Sequence, residues 1–254
     1  MTIAAAPIAL SAPVNLRDLG GIAIDGGVLR RGLAIRTDDL AYVTEAVAEQ
    51  LVAEGLTAVI DLRSDAEVAA TGRGPLAAHP VAYHHLPLLA DVGRSVPPHE
   101  QQGFTHEGMG AMYVRMVEAA APQLVVALEV IAESPGATAF HCAAGRDRTG
   151  VLAAVLLLVL GAPDDDVVAD YALTGGNMAA ILDRTAPVMA AVWSSLGLGG
   201  AALDTSALLE GSMEVSMRLL LQQLRQRHGD ALAPLREAGL SDATIARLRA
   251  RALA

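Results

Sequence analysis

The run His141-Cys142-Ala143-Ala144-Gly145-Arg146-Asp147-Arg148-Thr149-Gly150 brings a thiol, two guanidiniums, a carboxylate and a hydroxyl together within one short stretch. Cleaving a phosphate monoester with a thiol needs a thiolate, donors around the phosphate oxygens, a cation for the developing charge and a proton for the leaving group. Each has a candidate here. Cys142, the only cysteine in the chain, is the candidate nucleophile. The small residues Ala143, Ala144 and Gly145 let the backbone curl so that N–H groups between Ala143 and Thr149 face one anion. The same donors, with a helix start expected near Arg148, favour the ionised sulfur. Arg148 comes back round the loop and offers a planar fork to two phosphate oxygens. Thr149 is expected to donate its hydroxyl to the sulfur, and Arg146 adds a second cation.

A lone cysteine is by itself more often a small buried apolar residue than a nucleophile. The neighbours decide against that reading, because packing two arginines and an aspartate beside a core cysteine would bury unpaired charge. Two aspartates compete to be the general acid. Asp147 is preferred, since its place beside the nucleophile is fixed and geometry ranks first for a proton donor. Asp91, in a loop after a predicted strand, is the alternative. Arg146 is expected at the pocket rim, where it would hold a second phosphate; the alternative is a pairing with Asp147. Arg17, Asp18, Arg36 and Arg63 read as structural charges, with Arg63 paired to Glu67 across a helix start. His141 is expected to hold the loop by hydrogen bonds. His84 and His85 have no cysteine-rich or carboxylate-rich surroundings, so neither a metal nor a cofactor is expected.

These groups need a strand to deliver Cys142 and a helix to receive Arg148. Residues 137–141 form a short strand pattern, and 151–160 an aliphatic run that ends at Gly161 and Pro163. That run is too short to span a bilayer and reads as a core helix. Residues 57–62 and 81–86 are further strand candidates. Ser64 with Glu67 is a capping box opening a helix that fades near Gly72. Thr44 caps another helix, closed by Gly55. Residues 113–132 are helical with a break at Pro122. From Asp164, expected to be a cap, the pattern is helix only: 178–196, 205–227, 234–238, and 241–253 opened by Ser241. Residues 196–200, Leu-Gly-Leu-Gly-Gly, form a joint that reads equally as a hinge or a turn.

The chain has 254 residues, 53% hydrophobic and 18% charged, with a formal net charge of -10. It can bury a sizeable core. The acidic balance argues against nucleic-acid or anionic-membrane binding. All 18 basic residues are arginine, which points to a GC-rich bacterial genome. The apolar first twelve residues lack a basic start, so no export signal is recognised. The expectation is a soluble, cytoplasmic protein without integral membrane association, with secretion by a route lacking a recognisable signal left open.

The loop resembles the His-Cys-x5-Arg signature of the cysteine-dependent protein tyrosine phosphatases. More narrowly, the chain resembles the bacterial PtpB-like tyrosine phosphatase family. Asn15-Leu16-Arg17-Asp18-Leu19-Gly20-Gly21, Arg36-Thr37-Asp38, Asp61-Leu62-Arg63-Ser64, Ala169-Asp170-Tyr171 and the ending from Leu235 to Leu248 carry that likeness. Relatives usually have lysine where Arg146 stands, and a richer acidic stretch near Asp91. The resemblance implies one phosphatase domain over 1–254. Within it, an α/β core over 1–162 has a central, mostly parallel sheet flanked by helices. A helical section over 163–254 includes lid helices at about 178–227. It implies hydrolysis of phosphotyrosine in proteins through a cysteinyl-phosphate, with broader specificity open. The alternatives are a phosphoinositide phosphatase and, from another class, a phospho-binding module without turnover. The expected partner is a phosphorylated protein or a phosphoinositide.

Overall fold

A computed structural model describes residues 10–88, 105–195 and 212–253. Asp91 and the joint at 196–200 lie outside the described residues.

Among the described residues one five-stranded sheet organises the chain. Its strands are β1 (Arg17–Asp18), β4 (Ala34–Thr37), β5 (Leu56–Asp61), β6 (Ala82–His85) and β7 (Ala137–His141); β2 (Ala23–Ile24) and β3 (Gly27–Val28) form a separate hairpin. The spatial order is β1-β4-β7-β5-β6, with β1 antiparallel and the rest parallel. The last strand in sequence is therefore inserted between β4 and β5. Register aligns Thr37, His141, Asp61 and His85 along one carboxyl-terminal edge. A chain leaving β7 there lies between the loops that leave β4 and β5, the place where open parallel sheets put their ligands.

Period-2 alternation divides the strands between two unequal cores. Ile60, Phe140 and Ala34 face a large cluster that contains α3 (His106–Ala119), α4 (Ala121–Glu133) and α5 (Asp147–Val159). Val59, Ala139 and Ile35 face a smaller one closed by α1 (Glu45–Ala53). The larger layer also takes α6 (Asp164–Ala172), α8 (Glu214–His228), α9 (Ala233–Glu237) and α10 (Asp242–Leu253). α7 (Met178–Ser195) packs beside α2 (Asp65–Thr71).

Local chemistry explains several boundaries. Ser64 and Glu67 make both reciprocal bonds of a capping box at the start of α2. Thr44 accepts from Val47 N–H and opens α1. The expected break between two helices near Pro122 falls at Ala120, between α3 and α4, with Pro122 in the first turn of α4. Asp164 is corrected: it lies in the first turn of α6, and Pro163 occupies the cap position. There its carboxylate suits the positive end of the helix and pairs with Arg225 of α8. The lid expected over 178–227 is corrected for α8, whose Met217, Leu220, Leu221 and Leu224 are buried against α3 and α6 as core.

Candidate active site

The loop from Cys142 to Arg146 joins β7 to α5, and every one of its carbonyl groups has a partner, those of Ala143, Ala144 and Gly145 from distant parts of the chain. His141 Nδ1 lies 3.2 Å from Cys142 O. Asp39 N–H, just past β4, donates to Ala143 O at 3.1 Å. Asn15 Nδ2 reaches Ala144 O at 3.4 Å and Gly145 O at 3.1 Å. Arg36 Nη2 also donates to Gly145 O, at 3.0 Å, and Gly150 N–H closes the first helical bond to Arg146 O. A peptide whose C=O points outward must turn its N–H inward, so the concave side carries the donors. Gly145 makes the curl feasible: its φ is +65°, and a Cβ there would lie 2.5 Å from Thr37 O.

The groups that hold these carbonyls are themselves held by charge. Asp170 of α6 accepts from Arg17 Nε at 2.8 Å and from Arg36 Nη1. Arg17 also reaches Asn15 Oδ1 at 2.7 Å. Burial alone would push the Asp170 carboxyl up, but Arg36 and Arg17 outweigh it and hold it below the usual range. Asp18 accepts from Gly20 and Gly32 N–H, each at 2.6 Å, and so fixes a turn. The expected Arg63–Glu67 pair is not formed. Arg63 instead forks onto Asp61 and reaches Asp39 Oδ2 at 2.8 Å.

Glu67 is taken by Arg148. Its two oxygens accept from Nη1 at 2.6 Å and Nη2 at 2.9 Å, a bidentate buried pair across 81 residues of sequence. Burial pushes the Glu67 carboxyl up, but Arg148 and the Ser64 bonds bring it down to about 2. Arg148 is held firmly protonated: burial opposes its charge, and Glu67 and Cys142 more than restore it. Glu67 uses two of the guanidinium's five N–H donors, leaving three for a bound anion. Cys142 lies at the end of β7 and is buried in the large core.

The other side of the loop is different. Arg146 is only 2% exposed, which corrects the expectation of a rim position. Its Nε–H donates to Tyr171 Oη at 3.4 Å and lies 3.6 Å from Asp147 Oδ1. Its Nη2 has no hydrogen-bond partner among the described residues. Asp147, at the first position of α5, keeps 28% of its side chain exposed and accepts from the Tyr113 hydroxyl. Thr149 Oγ1 is buried without a hydrogen-bond partner among the described residues, so the expected bond to the sulfur is not made. Gly150 is required by packing, since a Cβ there would stand 2.8 Å from the Tyr171 ring.

The structure thus brings Cys142, the loop donors, Arg148 and Asp147 to one edge of the sheet. Sequence reasoning missed Glu67 as the brace of Arg148 and gave no role at the loop to Asn15, Tyr113 or Tyr171, although Asn15 and Tyr171 stand in segments that carry the family likeness. The capping box already fixed Glu67 at a strand–helix turn, and the chain holds only 4 tyrosines; either would have been a signal. Among the described residues no group of three or more His, Cys, Asp or Glu side chains could hold a metal ion. Nor is any described helix long and apolar enough to cross a membrane.

A model of the tyrosine phosphatase family matches residues 8–254. A candidate tyrosine-protein phosphatase of Cupriavidus necator is 35% identical over 217 aligned residues, covering 81% of this chain and 76% of that protein. A tyrosine-protein phosphatase of Nostoc commune is 30% identical over 55% of this chain and 47% of its own length. The triple specificity protein phosphatase PtpB of Mycobacterium tuberculosis is 27% identical, over 92% of this chain and 95% of its own.

Proposed function

This chain belongs to the tyrosine phosphatase family, and from that premise we propose how its loop performs the reaction. The Cys142 thiolate attacks phosphorus. An S–P bond forms as the P–O bond to the leaving group breaks, and Asp147 gives its proton to the departing oxygen. Water then attacks the cysteinyl-phosphate and yields a proton to the Asp147 carboxylate. The S–P bond breaks, releasing phosphate and restoring the thiolate. Arg148 and the inward N–H groups stabilise the charge on the equatorial oxygens in both steps. The observation that carries this reading is the outward carbonyls of Ala143, Ala144 and Gly145, held from behind by Asp39, Asn15 and Arg36, which turn the peptide donors to the concave side.

The substrate is phosphotyrosine in a protein, and the triple-specificity name of one relative extends the proposal to a wider range of phosphate esters. The phosphoinositide reading is not favoured. It asks Arg146 to hold a second phosphate at the rim, whereas that guanidinium is buried against Tyr171. The non-catalytic reading would leave the thiol, the cation and the acid together without a purpose.

Turnover of p-nitrophenyl phosphate and binding of a phosphotyrosine peptide test the assignment together. Cys142→Ser is expected to end turnover and keep binding, because Arg148 and the loop donors remain. Arg148→Ala is expected to lose both, and a chelator to change neither. A serine variant with near-normal turnover, or inactivation by a chelator, would overturn it.

A further inference from the structure

The hydrogen bonds behind Asp147 run in one direction. Arg146 can only donate, and an ionised carboxylate can only accept. Between them stand two hydroxyls that could do either, Tyr171 and Tyr113, 2.7 Å apart. Arg146 Nε–H donates to Tyr171, Tyr171 donates to Tyr113, and Tyr113 donates to Asp147 Oδ1. Reversing the line would aim two donors at Tyr171 Oη and leave that hydroxyl's own proton without an acceptor in a buried site. Both phenols stay neutral. Burial, then the Asp147 charge, holds Tyr113 well above the usual phenol value, and burial raises Tyr171 likewise. Tyr113 and Tyr171 are fully buried and Arg146 nearly so, while the carboxylate at the end of the line reaches the open side.

We propose that Tyr113 is a positioning residue for proton transfer: it keeps Asp147 Oδ1 as a permanent acceptor and reserves Oδ2 for the proton given to the leaving group. Tyr171 and Arg146 polarise that hydroxyl from behind. The proposal rests on Asp147 being the general acid. A proton on Oδ1 would meet the Tyr113 O–H head on, whereas a proton on Oδ2 leaves every bond of the line intact. Among the described residues, the charged and titratable groups facing Asp147 are Tyr113 from α3, Tyr171 from α6, and Arg146 and Arg148 beside it on its own turn. Arg146 therefore acts on Asp147 itself, directly across 3.6 Å and through the two hydroxyls, rather than on the substrate.

The test is kcat/KM across aryl phosphates of rising leaving-group basicity, ending with a phosphotyrosine peptide. It is run with pH profiles on the wild type, Tyr113→Phe, Tyr171→Phe and Asp147→Asn. Phenylalanine keeps the ring packing of the two tyrosines, whose centroids lie 5.9 Å apart, and deletes only the hydroxyl. Tyr113→Phe is expected to lose about ten-fold on the peptide and under about three-fold on p-nitrophenyl phosphate, a fraction of what a general acid contributes. Its alkaline limb should move up by about half a pH unit, because a donor to the ionised form is gone. Tyr171→Phe should move both readouts the same way by less, and it decides the matter should Tyr113→Phe not fold. An equal loss on every ester with an unmoved limb overturns the proposal. If Asp147→Asn also shows no dependence on the leaving group, the acid itself is wrongly assigned; if it shows that dependence and Tyr113→Phe does not, the relay alone falls.

Discussion

Arg148 and Arg146 flank the same aspartate and are both buried, yet the regions that receive them are built differently. Around Arg148 the structure is ionic: Glu67 matches the guanidinium oxygen for nitrogen. Around Arg146, among the described residues, the one side-chain oxygen accepting a hydrogen bond is a phenol, the Asp147 carboxylate stands 3.6 Å off, and one nitrogen has no partner. The difference teaches how each arginine is used. A guanidinium pinned by a carboxylate keeps its remaining donors aimed at a fixed point, as phosphate recognition requires. A guanidinium facing hydroxyls passes its influence along them and recognises nothing directly.

Replacing each arginine by methionine, which keeps much of the volume and removes the charge, breaks the comparison most sharply. Arg148→Met strands Glu67 in the interior and should cost about 3–5 kcal/mol of stability, with turnover lost. Arg146→Met strands no buried carboxylate and should stay within about 1 kcal/mol of wild type. Urea unfolding measures both, and equal losses would end the contrast. Asp170→Asn comes next, since it leaves Arg17 and Arg36 short of their counter-charge. We expect about 3 kcal/mol and a fall in kcat of about ten-fold or more, with binding of a phosphopeptide weakened as the loop relaxes.

The pH dependence sharpens the ionic side further. The Glu67 carboxyl lies at about 2 in the folded chain, against ~4.3 when unfolded. A depressed acid contributes its stability above the unfolded value and loses it as pH falls through the folded one. The stability gap between wild type and Glu67→Gln should therefore be full at pH 6 and shrink between about pH 5 and 2. Thermal melts across that range check it. A more modest effect than that of Arg148→Met is expected from Asn15→Ala, which frees the Ala144 carbonyl and leaves that of Gly145 to Arg36 alone. It should cost about 1–3 kcal/mol and a few-fold in kcat, read by melting and by steady-state turnover.

Much of this arrangement was legible before any coordinates. The strand at 137–141, the capping box at Ser64 and Glu67, and the loop between β7 and α5 all rest on local rules, so short windows of sequence carried them. β4 was not recognised as a strand because Arg36, which serves the phosphate loop, interrupts its apolar pattern. The charge partners were the least legible. Arg63 had acids on both sides in sequence, at Asp61 and at Glu67, and only folding decided that it takes Asp61 and Asp39 and leaves Glu67 to Arg148. Arg146 was misread because three consecutive side chains at a helix start point in three directions, and sequence does not say which faces the pocket. Tyr113 stood in no motif and the segment holding Tyr171 told nothing of its role; their meaning comes from α3 and α6 meeting over α5.

The central claim is that Cys142 carries the phosphoryl group between the two halves of the reaction. Mixing excess enzyme with a phosphotyrosine peptide, quenching in acid after a fraction of one turnover and mapping the digest by mass spectrometry tests it directly. The account predicts one phosphoryl group on the peptide containing Cys142, appearing with the released tyrosine peptide and decaying as free phosphate forms. Release of the tyrosine peptide with no such adduct at any time, or an adduct on another residue, would contradict it.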